Sequence, residues 1–188
     1  MAGDEGGGVS ARSVLVLGGA RSGKSAYAQR TAEAHGSEQV YIATASADDP
    51  EMAARIARHK ADRGAGWTTL EEPLELPRAL RAHTRPSRVL LVDCLTLWLS
   101  NLMGAGRDPG EAILAFTEAI ETLNGPAILV SNEVGMGIVP EQKLGRDFRD
   151  WQGRVNQAAA EACDAVVLMA VGLPLLLKPA APPRLRLR

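Results

Sequence analysis

Short apolar runs alternate with stretches of helical period along most of the chain. Ser13–Leu17, Gln39–Thr44, Arg88–Asp93, Ala127–Ser131 and Ala165–Val171 are rich in Val, Leu, Ile and Ala with few polar interruptions. Runs of this kind signal strands buried on both faces, as in a parallel sheet covered by helices; a one-sided sheet would alternate. Trp67–Glu71 is a weaker strand, and Gly172-Leu173-Pro174 reads as a turn into a last edge strand, Leu175–Lys178, of antiparallel sense. Helices are predicted after Gly23 and over Pro50–Arg63, Leu74–His83, Leu95–Leu102, Glu111–Leu123 and Phe148–Cys163. No internal repeat interrupts the series. The pattern predicts one three-layer α/β domain over residues 13–178, with a mostly parallel central sheet of about seven strands and an antiparallel edge strand. Residues 1–12 read as a flexible leader, and 179–188, proline-rich and ending in three arginines, as a flexible tail.

Composition narrows the class. A chain of 188 residues that is 46% hydrophobic can bury one core and has no room for a second. The net charge of −1 offers no broad basic footprint, so no nucleic-acid partner is expected. Cys94 and Cys163 are far apart and flank apolar runs, which suits buried, reduced thiols rather than metal ligands. The glycine-rich, acidic start lacks the basic and apolar regions of a signal peptide, and no apolar run approaches the roughly 20 residues of a membrane span. The expectation is a soluble, cytoplasmic protein with no membrane span.

The most specific chemistry lies at the first strand's end. Gly18-Gly19-Ala20-Arg21-Ser22-Gly23-Lys24-Ser25 meets the G-x-x-x-x-G-K-[ST] pattern of a phosphate-binding loop, with an apolar strand leading in and a helix leading out. The glycines let the backbone curl until several N–H groups point at one anion, and the helix adds its positive end. Lys24 then reaches the β- and γ-phosphates, while the Ser25 hydroxyl is placed to ligate Mg2+. Such a loop needs an acid at the end of a neighbouring strand to hold the metal's water shell, and Asp93 ends the run Val89-Leu90-Leu91-Val92. Asp93 also precedes a helix, so a capping role is the competing reading. The fold expectation is a P-loop NTPase fold.

A second constellation surrounds His59. Asp49-Pro50 marks a helix start, and on the helix that follows Arg55, His59 and Arg63 fall on one face, flanked by Arg58 and Lys60. Like charges at this spacing repel unless an anion docks among them. The same cations disfavour imidazolium and would leave a neutral ring able to attack phosphorus. A solvated basic face carrying an incidental histidine fits the spacing too. His35 and His83 sit near predicted helix ends and take no role.

Taken together, the segments Leu17–Ser25, Tyr41–Ala45, Asp49–Arg63, Asp93–Thr96, Ser131–Pro140 and Arg146–Gln157, with Trp67, resemble one family. It is the bifunctional adenosylcobinamide kinase / adenosylcobinamide-phosphate guanylyltransferases of cobalamin biosynthesis, and the resemblance covers about residues 13–178. It implies two reactions: phosphorylation of adenosylcobinamide by a nucleoside triphosphate (ATP or GTP), then transfer of GMP from GTP, through a histidine-GMP intermediate at His59, to give adenosylcobinamide-GDP. It implies a GTP site of Gly18, Gly19, Ala20, Arg21, Ser22, Gly23, Lys24, Ser25, Ala43, Thr44, Ala45, Lys60, Ala61, Asp62, Arg63, Glu71 and Asp93, with Ser25 and Asp93 on Mg2+ and a homotrimeric assembly. Glu71 suits a carboxylate accepting from a guanine edge, or simply an exposed strand end. Glu133, in the glycine-bearing segment Asn132–Pro140, is a candidate base toward the substrate hydroxyl; core packing or a subunit contact is the alternative use of that segment. Two other readings compete: a P-loop kinase for another small alcohol without a covalent step, and a nucleotide-gated motor of the recombinase-like group, against which the balanced charge and short chain argue.

Overall fold

The computed structural model describes residues 10–45 and 66–179. The described elements, in chain order, are β1 (Ser13–Gly18), α1 (Lys24–Ala34), β2 (Glu38–Ala43), β3 (Trp67–Glu71), α2 (Leu76–His83), β4 (Arg88–Asp93), α3 (Leu95–Gly104), α4 (Pro109–Glu121), β5 (Ala127–Asn132), α5 (Lys143–Ala162), β6 (Ala165–Ala170) and β7 (Leu173–Lys178). The strands form one seven-stranded sheet in the order β3-β2-β4-β5-β1-β6-β7. Every neighbouring pair is parallel except β6–β7. The weak strand of the sequence pattern, Trp67–Glu71, is β3 and forms one edge.

The continuous apolar runs are explained by what covers them. Leu15, Leu90, Val92 and Leu129 face a core completed by α2, α3, α4 and α5, with the rings of Trp98 and Phe116 packed at a 43° tilt, 5.1 Å between centres. Val16, Val89, Leu91 and Val130 face the opposite way, against Ala28 and Ala32 of α1. Small residues spaced four apart on α1, buried completely, let that helix lie close against the sheet.

Two boundaries differ from the sequence pattern for local reasons. The last helix begins at Lys143 rather than Phe148, its first turn being polar and carrying the Lys143–Asp147 pair at 2.5 Å. β7 begins at Leu173, so Pro174 lies within the strand opposite Met169. Proline lacks an N–H, and an edge strand has one side on which none is needed.

The sheet's ends are pinned by side chains. Arg12 and Ser13 donate their backbone N–H groups to Asp164 Oδ2 at 2.8 and 3.0 Å, tying the start of β1 to that of β6. These bonds, that from Ser13 first, hold the Asp164 carboxyl below its ordinary range. Lys178 Nζ donates to the carbonyls of Ala160, Glu161 and Cys163, closing the C-terminal end of α5. Burial pushes the Cys163 thiol up to about 12 and raises that of Cys94 as well, so both are inert protonated thiols, as their apolar surroundings in the sequence imply.

Candidate active site at the carboxyl edge of the sheet

The phosphate loop is the connection from β1 to α1. Its tightness is set at two glycines. A Cβ on Gly18 would overlap the Ser22 hydroxyl and lie 2.8 Å from the Met169 carbonyl oxygen. Gly23 has φ 92°, a left-handed conformation that glycine adopts without cost, and its missing Cβ would sit 3.3 Å from Gly172 Cα. Arg21, with φ 56°, takes the left-handed region without that freedom. The Gly172 N–H donates to Ser22 O at 3.0 Å, so the β6–β7 turn rests directly on the loop. Gly19, Ala20 and Arg21 are exposed, Ser22 and Lys24 are buried, and Ser25 is half-buried in the first turn of α1. Lys24 Nζ donates across the loop to Gly19 O at 3.0 Å. That first turn holds no acidic residue, so nothing cancels the positive end of α1 where an anion would dock.

Residues scattered along the sequence meet at the same edge. Glu71, Ala43 and Asp93 are the last residues of β3, β2 and β4, and they stand opposite one another in register. Gly18 stands opposite Asn132, the last residue of β5. Ligands bind outside the carboxyl ends of strands in open α/β sheets, and the assigned positions on the described residues gather there. One expectation needs correction: Asp93 is not on a strand adjacent to β1, because β5 lies between β1 and β4. Local periodicity reports that a strand exists but not which strand lies beside it.

Ser25 and Asp93 offer one hydroxyl and one carboxylate, hard oxygen donors suited to Mg2+, which keeps most of its shell for phosphate and water. Among the described residues no group of three His, Cys, Asp or Glu side chains is arranged to hold a metal alone.

Thr44, assigned to the nucleotide site, is fully buried, and its side chain is committed elsewhere. Its hydroxyl donates to Cys94 O at 2.7 Å and accepts from Cys94 N at 2.8 Å. Its carbonyl accepts from Asn101 Nδ2 at 2.7 Å. Thr44 therefore shapes the turn after Asp93. Glu133 has its backbone N–H on Gly18 O at 3.1 Å and its carboxylate Oε1 on Gly135 N at 2.6 Å, which places the candidate base at the mouth of the phosphate loop with one oxygen engaged.

Sequence reasoning gave no role to a buried polar cluster behind this edge. Ser131 Oγ donates to Asn156 Oδ1 at 2.6 Å, Gln152 Nε2 donates to both Ser131 Oγ and Asn156 Oδ1, and Asn156 Nδ2 donates to Asn132 O at 3.0 Å. The available signal was Gln152 and Asn156, four apart and in phase with the buried Val155 and Ala159 on α5. His59, Lys60, Ala61, Asp62 and Arg63 lie outside the described residues, as does the predicted helix Pro50–Arg63.

Known proteins match this arrangement in sequence and in fold. The family model for cobinamide kinase / cobinamide phosphate guanyltransferase matches residues 14–177. The bifunctional adenosylcobalamin biosynthesis protein CobP of Pseudomonas aeruginosa is 51% identical over 167 residues, which span 87% of this chain and 96% of that protein. CobU of Escherichia coli, of the same description, is 39% identical over 180 residues, 88% of this chain and 99% of that protein. Among solved structures, the flagellar accessory protein FlaH from Methanocaldococcus jannaschii superposes with a TM-score of 0.52 over 92% of this chain and 81% of its own, at 13% identity, a likeness of fold alone. With a match from near the start of β1 to the end of β7 and relatives aligned over almost their whole length, the chain belongs to the cobinamide kinase / cobinamide phosphate guanyltransferase family of enzymes.

Proposed function

We propose that this chain phosphorylates adenosylcobinamide and then transfers GMP from GTP to the product, giving adenosylcobinamide-GDP in cobalamin biosynthesis. The observation that carries the reading is the convergence of Gly18–Ser25, Ala43, Glu71 and Asp93, from four separate strands, on one sheet edge. The family description, cobinamide kinase / cobinamide phosphate guanyltransferase, supports a cobinamide acceptor.

In the first reaction the loop and the N-terminus of α1 bind the triphosphate, and Lys24 exchanges its bond to Gly19 O for phosphate oxygens. Ser25 and Asp93 would hold Mg2+, which when bound would neutralise phosphate charge. Glu133, at the mouth of the loop, takes the proton from the acceptor hydroxyl as the γ-phosphoryl group moves to that oxygen. In the second reaction the neutral ring of His59 attacks the α-phosphorus of GTP, forming a nitrogen–phosphorus bond as pyrophosphate leaves. A phosphate oxygen of the corrinoid then attacks the same phosphorus and the bond to His59 breaks. Glu71 accepts from the guanine edge, and within the segment Lys60–Arg63 the cations Lys60 and Arg63 offset phosphate charge beside His59. The enzyme acts in the cytoplasm as a homotrimer; no described helix is long and apolar enough to cross a membrane.

The test is incubation with α-labelled GTP and Mg2+ followed by denaturation. The expected result is an acid-labile, alkali-stable label that disappears in His59→Ala while the kinase step persists. A protein that stays unlabelled overturns the covalent mechanism and leaves a kinase alone. For Glu133, the Gln variant is expected to lose phosphorylation and keep guanylylation, and unchanged kinase turnover removes it as the base.

A further inference from the structure

Two oxygen donors, Ser25 on α1 just after β1 and Asp93 at the end of β4, must meet one cation, although β5 stands between the two strands. Mg2+ demands near-ideal octahedral geometry at metal–oxygen distances of about 2.0–2.1 Å, so the offset between the two strand ends has to be fixed mechanically.

The tip of β5 supplies that fixture. Asn132 donates twice to a single atom, Thr96 Oγ1: its backbone N–H at 2.9 Å and its side-chain Nδ2 at 3.0 Å. Thr96 stands in the first turn of α3, three residues after Asp93. On the other flank, the next peptide N–H, that of Glu133, is bonded to Gly18 O at the entry of the phosphate loop. The Asn132 carbonyl is held from behind by Asn156 Nδ2 at 3.0 Å. The consecutive residues Asn132 and Glu133 thus tie the metal-side turn to the phosphate loop, Asn132 bonding Thr96 and Glu133 bonding Gly18, while Thr44 holds the same turn from the β2 side through both polar atoms of the Cys94 backbone.

We propose that Asn132 and Thr96 are positioning residues that set the Asp93 corner against the phosphate loop, and so determine how strongly Mg2+ and nucleotide bind together. This rests on the reading that Ser25 and Asp93 share the cation. The two N–H groups of Asn132 fill both lone pairs of the Thr96 oxygen, a fork that one hydroxyl can accept and a methyl group cannot. Loss of residues that orient metal ligands typically costs about 10–100-fold in metal affinity.

The experiment is titration calorimetry of the full chain with α,β-methylene-GTP, which cannot donate GMP, with Mg2+ and with EDTA. The ratio of the two affinities is the coupling, and thermal melts of each variant check folding. Thr96→Val and Asn132→Ala are expected to lower the coupling about tenfold while the Mg2+-free affinity stays within about twofold. Thr96→Ser, which keeps the oxygen, is expected to retain it. Asp93→Asn is the control and should abolish the coupling. Coupling lost in Asp93→Asn but unchanged in Asn132→Ala and Thr96→Val overturns the positioning role alone. An equal fall in Mg2+-free affinity does so too, because it marks general damage to the loop. If Asp93→Asn itself leaves the coupling intact, the metal site is misassigned and the positioning role falls with it.

Discussion

The two flanks of β1 meet the phosphate loop in different ways. On the β6 side the contact is backbone against backbone: Gly172 N–H on Ser22 O, the Gly172 Cα near Gly23, and the Met169 carbonyl where a Cβ of Gly18 would go. On the β5 side one backbone bond, Glu133 N–H on Gly18 O, reaches the loop, and it is backed by a side-chain network of Asn132, Thr96, Ser131, Gln152 and Asn156. A backbone contact leaves no room and so dictates glycine. A side-chain contact leaves room but dictates hydrogen-bonding capacity. The first flank should therefore be intolerant of volume and the second of lost polarity.

The largest expected effect tests the crowded flank. Gly18→Ala forces a methyl group toward the Met169 carbonyl, which cannot move without disturbing β6, at a cost of about 3 kcal/mol in stability. Nucleotide affinity should fall with it, and a melt plus a nucleotide titration reads both. If the alanine variant binds and melts like the parent, the backbone flank is not crowded.

Next comes the polar flank. Asn156→Ala removes the donor to Asn132 O and the acceptor of the Ser131 hydroxyl, which keeps only Gln152, and should cost about 2 kcal/mol, a fall of several degrees in Tm. Asn156→Leu, closer in volume but without polarity, should be no better. Rescue by leucine would mean that packing and not polarity governs this flank.

A smaller effect is expected at the opposite edge, where Asp164 joins β1 to β6. Asp164→Asn should cost about 1 kcal/mol near neutral pH, the site being open to water. Because the folded carboxyl titrates below its ordinary value, its contribution is present above the unfolded pKa and is lost as pH falls through the folded one. The difference in Tm between parent and variant should thus shrink on acidification, and a pH-independent difference would contradict the assignment.

The smallest effect has the opposite sign. Ser22 Oγ is buried with no hydrogen-bond partner in the structure, so Ser22→Ala should leave the nucleotide-free protein unchanged or raise its stability by less than about 1 kcal/mol. A clear loss of stability would show that the hydroxyl is satisfied after all, and would move the loop from the crowded class to the polar one.

Much of this was legible beforehand, and the rest was not for identifiable reasons. The phosphate loop and the strand ending in Asp93 are local patterns that need no distant partner to be recognised; the helix cap at Asp108, which accepts from Gly110 N and Glu111 N, is equally local but lies before the predicted start at Glu111. The bond from Asn132 to Thr96 spans 36 positions and that from Ser131 to Asn156 spans 25, and nothing in either segment names the other. Gln152 and Asn156 look like a solvated helix face until the sheet is known to lie against them. The insertion of β5 between β1 and β4 is invisible for the same reason, since all three runs read alike. Thr44 follows β2 at this edge, and only its neighbours reveal that its hydroxyl serves the Cys94 backbone.

The central place of β1 also bears on how the protein is made. Its neighbours begin at Ala127 and Ala165, so the first strand synthesised pairs only with the fifth and sixth of the described ones. Contacts so distant in sequence carry a large loop-closure cost and slow folding. On the ribosome, β1 must wait with its apolar residues uncovered until β6 has emerged, the interval in which a nascent chain most needs a chaperone. The loop at its end is not assembled before then, so a nucleotide bound there would stabilise the finished fold but could not template its early folding.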